Sequence, residues 1–226
     1  MGIAAHSLAP PPVLRITRLR AWAPATPLEL RPGQMLALRL RSHALRAALV
    51  GGLTGDLPVE RGTVQLLGHD LATRRHLPRP RHAPSVAFVP ADGGLFANLN
   101  AWENIWTPAT YHHPDTADEL AWRVRRLLES LGVQPSLLAA RRPEEMEPIE
   151  RRFVAFARAV MLRPELVVVD GLFEDLDTRD TRRAVRLFPA FARALPFRAL
   201  LALGATYPEE VRAAGVRLVD IEEPSQ

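Results

Sequence analysis

The chain has 226 residues, of which 47% are hydrophobic and 24% charged, as in a soluble folded protein built from one large domain. It contains no cysteine, which excludes disulfides, thiolate chemistry and Cys-ligated zinc, and no apolar run approaches the roughly 18–20 residues that span a membrane. The net charge is +4 and all 29 basic residues are arginine, so no lysine can serve in a phosphate-binding loop. Because no stretch of the sequence is apolar enough to span a membrane, we expect a cytoplasmic protein.

The arginines are scattered among acids along the chain. Adjacent pairs such as Arg141-Arg142 and Arg182-Arg183 could contact phosphates, but acidic residues lie close to them in the sequence. Such mixed charge is more typical of a solvated surface than of a nucleic-acid patch. We expect no nucleic-acid partner.

The first 95 residues favour short strands and one helix. Apolar runs bounded by turn residues predict strands over residues 13–16, 28–30, 35–40 and 62–68. Ser42 is a suitable N-cap for a helix over residues 44–53, which would end at Gly55.

From residue 85 onward, apolar strands alternate with helices. Strands are predicted over residues 85–89, 166–169, 199–203 and 216–221. Helices are predicted over residues 116–131, 148–162 and 178–194, the last of them bent at Pro189. Helical periodicity dominates the interval from about 99 to 151. Near-continuous apolar strands separated by helices indicate an α/β fold with a largely parallel sheet and a helical insertion.

Several segments resemble the motifs of an ATP-binding-cassette (ABC) ATPase, in the family's order and spacing. Residues 157–170 (ARAVMLRPELVVVD) and 171–177 (GLFEDLD) resemble the end of the signature helix, the Walker B strand and the D-loop. Residues 33–38 (GQMLAL) resemble the strand that enters a Walker A loop, and residues 60–71 (ERGTVQLLGHDL) the hairpin that follows it. Residues 88–105 resemble the Q-loop and the start of the next helix.

The resemblance covers nearly the whole chain and implies its fold. We expect a single domain over residues 1–226, with a P-loop NTPase-like (RecA-like), mostly parallel sheet core and an antiparallel β portion at the N-terminus. The α/β core would comprise residues 12–95 and 151–222, and an inserted helical subdomain residues 96–150. Residues 88–112 resemble most closely the bacterial lipid-trafficking branch, of the mammalian-cell-entry or retrograde phospholipid type.

The residues expected to hold the phosphates differ from the family pattern. A Walker A loop needs glycines for turns of positive φ, a lysine on the β- and γ-phosphates, and a hydroxyl on Mg²⁺. Counted from Gly33 without gaps, the glycine positions hold Leu40, His43 and Leu45. The lysine position holds Arg46 and the hydroxyl position Ala47, so the resemblance implies a degenerate Walker A loop.

The other motifs of the family are altered in parallel. Ala91 stands at the Q-loop glutamine, residues 146–150 (MEPIE) at the signature sequence, and Ala205 at the H-loop histidine. Gly171 stands where the family has its catalytic glutamate, whereas the Walker B aspartate is retained as Asp170. We therefore predict no catalytic residue in this chain.

A residual nucleotide or anion site remains one hypothesis for the retained polar residues. Ser42 and Arg46 are candidates because a helix N-terminus and a cation both favour an anion. Asp170 is a candidate because a strand-end aspartate binds Mg²⁺ when the triphosphate and the other ligands are present. The alternative is that Ser42 caps a helix and that Asp170 makes a hydrogen bond within the fold. Trp22 could stack on a base or simply pack.

An aromatic segment is the candidate partner-binding surface. The resemblance implies that a coupling helix of a transmembrane permease docks near Phe96, Trp102, Trp106 and Tyr111, and exposed aromatics anchor interfaces well. The alternative is that Trp102 and Trp106, spaced i,i+4, pack the interior of the helical subdomain.

The histidines do not predict a metal site. The pairs His112/His113 and His76/His82 lack a third ligand at a recognisable spacing, so we expect no metal.

Three functions follow as hypotheses. The first is a degenerate ABC subunit of a lipid-transport-like transporter, without a cofactor, peripheral on the inner face of the cytoplasmic membrane. It would be a structural or regulatory pseudo-ATPase that docks on a permease and pairs with itself or with an active ATP-binding subunit. The second is a divergent but functional ATPase that uses ATP and Mg²⁺, and the third is a soluble interaction protein that has left the transporter.

Overall fold

The computed structural model describes residues 10–20, 22–76, 85–113 and 115–222. Within them the chain forms nine strands: β1 (Leu14–Ile16), β2 (Leu28–Leu30), β3 (Met35–Leu40), β4 (Val64–Leu66), β5 (His69–Asp70), β6 (Val86–Val89), β7 (Leu166–Asp170), β8 (Ala199–Gly204) and β9 (Arg217–Ile221). The same residues form eight α-helices: α1 (His43–Thr54), α2 (Ala101–His112), α3 (Ala117–Ser130), α4 (Pro135–Leu138), α5 (Pro148–Met161), α6 (Thr178–Val185), α7 (Leu187–Ala194) and α8 (Glu210–Ala213).

The strands form two sheets. The larger is entirely parallel, in the order β6-β7-β8-β3-β9, and the smaller is antiparallel, in the order β2-β1-β4-β5. The central strands β7 and β8 are almost wholly buried, as expected for apolar runs covered on both faces of a parallel sheet. The predicted α/β fold, with a parallel core and an N-terminal antiparallel portion, is confirmed.

Local capping explains where two of the helices begin and end. The Ser42 side chain accepts a hydrogen bond from the Leu45 N–H at 3.3 Å, and Gly55 ends α1 with a φ of +86°. Thr116 caps α3 and forms a reciprocal capping box with Glu119. Both helices therefore lie within one residue of their predicted bounds.

The prediction of one bent helix over residues 178–194 was wrong. Two helices form instead, and they meet at Arg186 rather than at Pro189. Pro189 has no N–H to donate to the Val185 carbonyl, and its ring crowds that carbonyl, so the regular hydrogen bonding stops one turn before the proline. Pro189 itself lies in the first turn of α7, where a missing N–H costs little.

Helix α5 is the centre of the hydrophobic core. It packs against α2, α3 and α7 and against the sheet at β6. Phe153 and Phe156 on α5, and Phe188 and Phe191 on α7, are among the largest fully buried side chains. Within the described part of the chain, no helix has both the length and the apolar content that crossing a bilayer requires.

Candidate functional site

The carboxyl ends of the parallel strands meet at one edge of the larger sheet. Strand β8 lies between β3 and β7, so the residues that follow β3 and β7 flank the end of β8. Clefts at this edge of a parallel sheet are where ligands commonly bind in α/β proteins. Arg46 approaches from α1, and Asp170 is the last residue of β7.

Arg46 forms an ion-pair cluster with two acids at this edge. Its Nε donates to Asp170 Oδ1 at 2.6 Å, and its Nη1 donates to Glu174 Oε1. Burial acts to lower the pKa of Arg46, but the hydrogen bonds that Arg46 donates to Glu174 and Asp170, together with the negative charges of these two acids, outweigh burial and raise that pKa. We call these three side chains the Arg46 cluster. Two of the three candidates for a residual site, Arg46 and Asp170, are thus in direct contact with each other.

The connection between β3 and α1 has ordinary backbone geometry. Residues 34–54, all of them described, contain no positive φ angle. Leu40 and Leu45, at two of the positions where the resemblance expects glycines, are buried in the core. Ser42 caps α1 through Leu45, as described above, and its part in a residual anion site stays a prediction. The connection is therefore a packed strand–helix turn.

A side chain at Gly171 would require its neighbours to move. Its φ is +68°, and its N–H donates to the Leu203 carbonyl at 2.8 Å. A Cβ built there would lie 2.7 Å from Arg46 Nη2 and 2.8 Å from both Glu174 Oε2 and the Ala91 Cβ. The Arg46 cluster thus occupies the space in front of the position at which the resemblance expects a catalytic glutamate. Ala205 follows β8 and carries only a methyl group.

Arg152 joins the loops that follow β6 and β7 beneath the cluster, although the sequence analysis did not single it out. It is only 4% exposed, and it donates to the carbonyls of Ala91 (2.6 Å), Leu172 (3.2 Å) and Glu174 (2.6 Å). Desolvation by burial lowers its pKa. In the sequence Arg152 directly follows Glu150 and Arg151 in the polar start of α5, so nothing there distinguishes it from a surface arginine. A buried arginine is stable only when its donors have partners.

Tyr207 lies in the loop after β8 and contacts the end of β3, on the side of the site away from Arg152. The sequence analysis did not identify it either. Its hydroxyl donates to the Leu38 carbonyl at 3.3 Å, and its ring meets Phe173 edge-on with centroids 5.8 Å apart. Burial is the main cause that raises the pKa of Tyr207 far above its usual value; Arg46 opposes this increase, and the carboxylates of Asp170 and Glu174 add to it. The buried Tyr207 hydroxyl is therefore neutral beside the Arg46 cluster.

We predict that Tyr207 makes the protein less stable at alkaline pH. The unfolded chain ionises its tyrosine near pH 10, whereas the folded chain holds the proton, so stability falls as pH rises above about 10 by up to about 1.4 kcal/mol per pH unit. Urea unfolding between pH 8 and 11.5 measures this fall. Because the chain has no lysine or cysteine, few other groups titrate in this interval.

The matched variant is Tyr207→Phe. It should lose about 1 kcal/mol at pH 8, for the missing hydrogen bond, and show a flatter decline above pH 10. Equal alkaline declines in the two proteins would refute the assignment of the fall to Tyr207.

Comparison with known proteins decides the family. The family model of the ABC transporter matches residues 26–173. The chain belongs to the ABC transporter family. The predicted family is thereby confirmed.

The similar curated proteins are ATP-binding subunits with different cargoes. The chain is 32% identical over 151 residues to an Fe(3+) ions import ATP-binding protein of Pseudomonas fluorescens, with 67% of this chain and 41% of that protein covered. It is 29% identical over 159 residues to a molybdate/tungstate import ATP-binding protein of Thermococcus kodakarensis, covering 70% and 46%. It is 30% identical over 162 residues to a lipoprotein-releasing system ATP-binding protein of Rhodopirellula baltica, covering 71% and 69%. The chain thus spans less than half the length of the two import proteins.

Solved structures of cassettes share the fold. One is cbiO1 from Clostridium perfringens, part of an ABC transporter complex, with a TM-score of 0.71 at 16% identity over 94% of this chain and 85% of that one. Another is the dimeric ATP-binding cassette MJ0796 bound to ADP and Pi, with a TM-score of 0.69 at 17% identity over 90% and 87%. At these identities the likeness shows the fold alone.

The segment at the family's signature position is occupied by contacts within this chain. Met146 and Ile149 are buried. Glu150 accepts from the Glu147 N–H at 2.8 Å and pairs with Arg141 at 2.9 Å, while Glu147 pairs with Arg183 at 3.1 Å. The acids therefore stabilise the start of α5 and its surroundings.

The aromatic candidates divide into two groups. Trp102 and Trp106 stack with ring centroids 5.2 Å apart and are partly buried against the core, as the packing alternative requires. Phe96 and Tyr111 are 58% and 84% exposed. The fully buried Asn104 holds the loop before α2, because its side chain accepts from the Phe96 N–H and donates to the Phe96 carbonyl. The role of this surface in partner binding stays a prediction.

Trp22 and the histidines are the remaining residues that the sequence analysis considered. Trp22 forms an isolated bridge with Leu19 and packs partly buried against the smaller sheet's core. Among the described residues, no group of three or more His, Asp or Glu side chains could hold a metal ion. His82 and the side chain of His76 lie outside the described residues.

Proposed function

We propose that this chain is an ATP-binding-cassette subunit in which the Arg46 cluster takes the place of magnesium and nucleotide, so that the subunit neither binds ATP tightly nor hydrolyses it. The single observation that carries the proposal is the 2.6 Å contact between Arg46 Nε and Asp170 Oδ1. It joins the residue at the Walker A lysine position to the Walker B aspartate. In a working cassette these two groups serve the nucleotide and its metal.

The residues present do not fit Mg²⁺. This cation needs oxygen ligands in an octahedral arrangement, taken from carboxylates, hydroxyls, water and phosphates. Asp170 Oδ1 accepts from a guanidinium instead, and Ala47 at the hydroxyl position supplies no oxygen. A fixed positive charge beside Asp170 also repels a second cation.

The residues do not fit a triphosphate either. Two donor nitrogens of Arg46, Nε and Nη1, are already engaged by carboxylates, so its charge is compensated and a phosphate would have to displace Asp170 and Glu174. The turn between β3 and α1 has no positive φ angle and buries leucines. It therefore lacks the backbone conformation in which successive N–H groups converge on an anion. Both arguments support a cassette without a nucleotide.

A subunit of this kind would act through its contacts. We propose a structural or regulatory role, in which the chain docks on a transmembrane permease from the cytoplasmic side and pairs with itself or with an active ATP-binding subunit. The exposed Phe96 and Tyr111, backed by the stacked Trp102 and Trp106, form the proposed permease surface. A lipid-like cargo stays a prediction, since the matched relatives are named for ferric iron, molybdate or tungstate, and lipoprotein release.

The divergent-ATPase hypothesis gives Arg46 a role in nucleotide binding. If the subunit binds ATP, Arg46 must leave Asp170 and Glu174 for the phosphates, so Arg46 and nucleotide binding are coupled. Under our proposal Arg46 contributes to stability only.

We expect 1 mM Mg-ATP to leave the melting temperature of the protein unchanged and phosphate release at the level of the buffer. A site with a Kd of about 10 μM would instead add about 2.7 kcal/mol of stability at that concentration, which raises the melting temperature by several degrees.

Arg46→Gln should lower the free energy of unfolding by about 2 kcal/mol, because it leaves two partly buried carboxylates without their cation. The melting temperature of this variant should also not change when Mg-ATP is added.

The control is Arg41→Gln, which removes an exposed arginine from the same turn and should alter stability by less than about 0.5 kcal/mol. A rise in melting temperature with Mg-ATP that disappears in Arg46→Gln would support the divergent ATPase and overturn our proposal.

A further inference from the structure

A second cleft lies between α3, the end of α5 and α7, and it shares no residue with the Arg46 cluster. Its volume is about 800 Å³. The floor is aliphatic and comes from all three helices, through the buried Leu127, Val160, Met161 and Ala190, and the partly buried Leu195 just after α7 extends it. Volumes of roughly 300–1,000 Å³ with apolar walls are typical of small-molecule sites. We call it the helical cleft.

The rim of the helical cleft is cationic. Four arginines line it, and the acids near them are Glu129, also in the lining, and Asp115, which pairs with both Arg123 (2.9 Å) and Arg163. The rim therefore keeps a net charge of +2. Among the residues that the structure describes, no acid lies within salt-bridge distance of Arg126 or Arg193.

Trp122 marks the mouth of the helical cleft. It is 60% exposed, and the Arg126 guanidinium lies 5.6 Å from the centre of its ring. A large exposed indole leaves apolar surface in water, and burial of that surface by a ligand is favourable. The cleft thus combines an apolar floor, an exposed aromatic wall and two cations without acidic partners.

We propose that the helical cleft binds a small amphiphile that has one anionic head group and an alkyl chain. The alkyl chain lies along the aliphatic floor and against Trp122, where each buried methylene is favourable. The head group, a carboxylate or a phosphate, is held by Arg126 and Arg193, since guanidinium groups bind both through charge-assisted hydrogen bonds. A cationic amphiphile would meet the same floor but a repulsive rim.

This proposal is independent of the proposed function. The cleft is formed by helix surfaces on α3, α5 and α7, whereas the Arg46 cluster lies at the carboxyl ends of the strands. An active ATPase and a nucleotide-free subunit could both carry it.

The experiment is isothermal titration of the full chain with dodecanoate and with dodecyl phosphate, both below their micellar concentrations, and with dodecyltrimethylammonium as the cationic control. We expect one saturable site for at least one anionic probe, and comparison of the two probes identifies the preferred head group. Arg126→Gln and Arg193→Gln should each weaken binding about tenfold, as expected when one charge-assisted hydrogen bond is lost. Trp122 fluorescence should change on binding, and Trp122→Phe should lose that change.

The matched control is Arg212→Gln, which removes an exposed arginine from α8 and the same charge from the protein. It should bind the anionic probe as the wild type does. Equal affinity for the cationic probe, the absence of saturable binding by both anionic probes, or unchanged affinity in both cleft variants would overturn the proposal. Melting temperatures of all variants identify any loss of binding that comes from misfolding.

Discussion

Replacement of Arg152 by methionine should lower the free energy of unfolding by about 3 kcal/mol. Methionine fits the length of the arginine stem and the helix, so the change removes mainly the guanidinium and its three hydrogen bonds. The carbonyls of Ala91, Leu172 and Glu174 then lack their buried donor, and each unsatisfied group costs about 1–3 kcal/mol before water or relaxation offsets it.

Urea unfolding followed by circular dichroism measures the loss. The control is Arg125→Met, at an exposed position on α3, a helix of the same 14-residue length as α5. That variant should differ from the wild type by less than about 0.5 kcal/mol. If the two variants are equally stable, Arg152 does not hold the loops after β6 and β7 together.

The second large effect is expected at Gly171. Gly171→Glu introduces the acid that the resemblance expects there, yet it should lower the free energy of unfolding by about 3 kcal/mol and produce no phosphate release. A non-glycine residue at a φ of +68° costs about 1–2 kcal/mol. The new side chain also meets Arg46 and Glu174, which lie within 2.8 Å of the Cβ position.

Gly171→Ala separates these causes. Alanine carries the backbone strain and the Cβ contacts but adds no third carboxylate next to Glu174. We expect it to lose about 2 kcal/mol, so the glutamate variant should be the less stable of the two. A Gly171→Glu protein that is as stable as the wild type, or that hydrolyses ATP, would contradict the geometry of the site.

The sequence predicted the elements of the fold well because their signals are local. The apolar run at β8, the Ser42 cap of α1 and the capping box at Thr116 each depend on neighbours within a few residues. The break at Arg186 escaped prediction because a proline acts on the carbonyl four residues earlier, which shifts the helix end away from Pro189 itself.

The site was predictable only in part. Family spacing brought Arg46 and Asp170 to the same edge of the sheet, but their ion pair joins residues 124 positions apart. Glu174 lies in the segment likened to the D-loop, but that resemblance gives it no role, and Arg152 and Tyr207 belong to no motif. The roles of all three depend on hydrogen bonds between distant segments. Such contacts become visible only once the strands and loops have been assembled.

The Arg46 cluster also couples the outcomes of substitutions at positions 46 and 171. Lysine at position 46 would lack the fork of donors that reaches both Asp170 and Glu174, and glutamate at position 171 would need Arg46 and Glu174 to move. Under the proposed function, each change alone therefore gives a less stable protein, and a nucleotide site would need several changes together. The two positions are thus epistatic: the effect of either substitution depends on the residue present at the other.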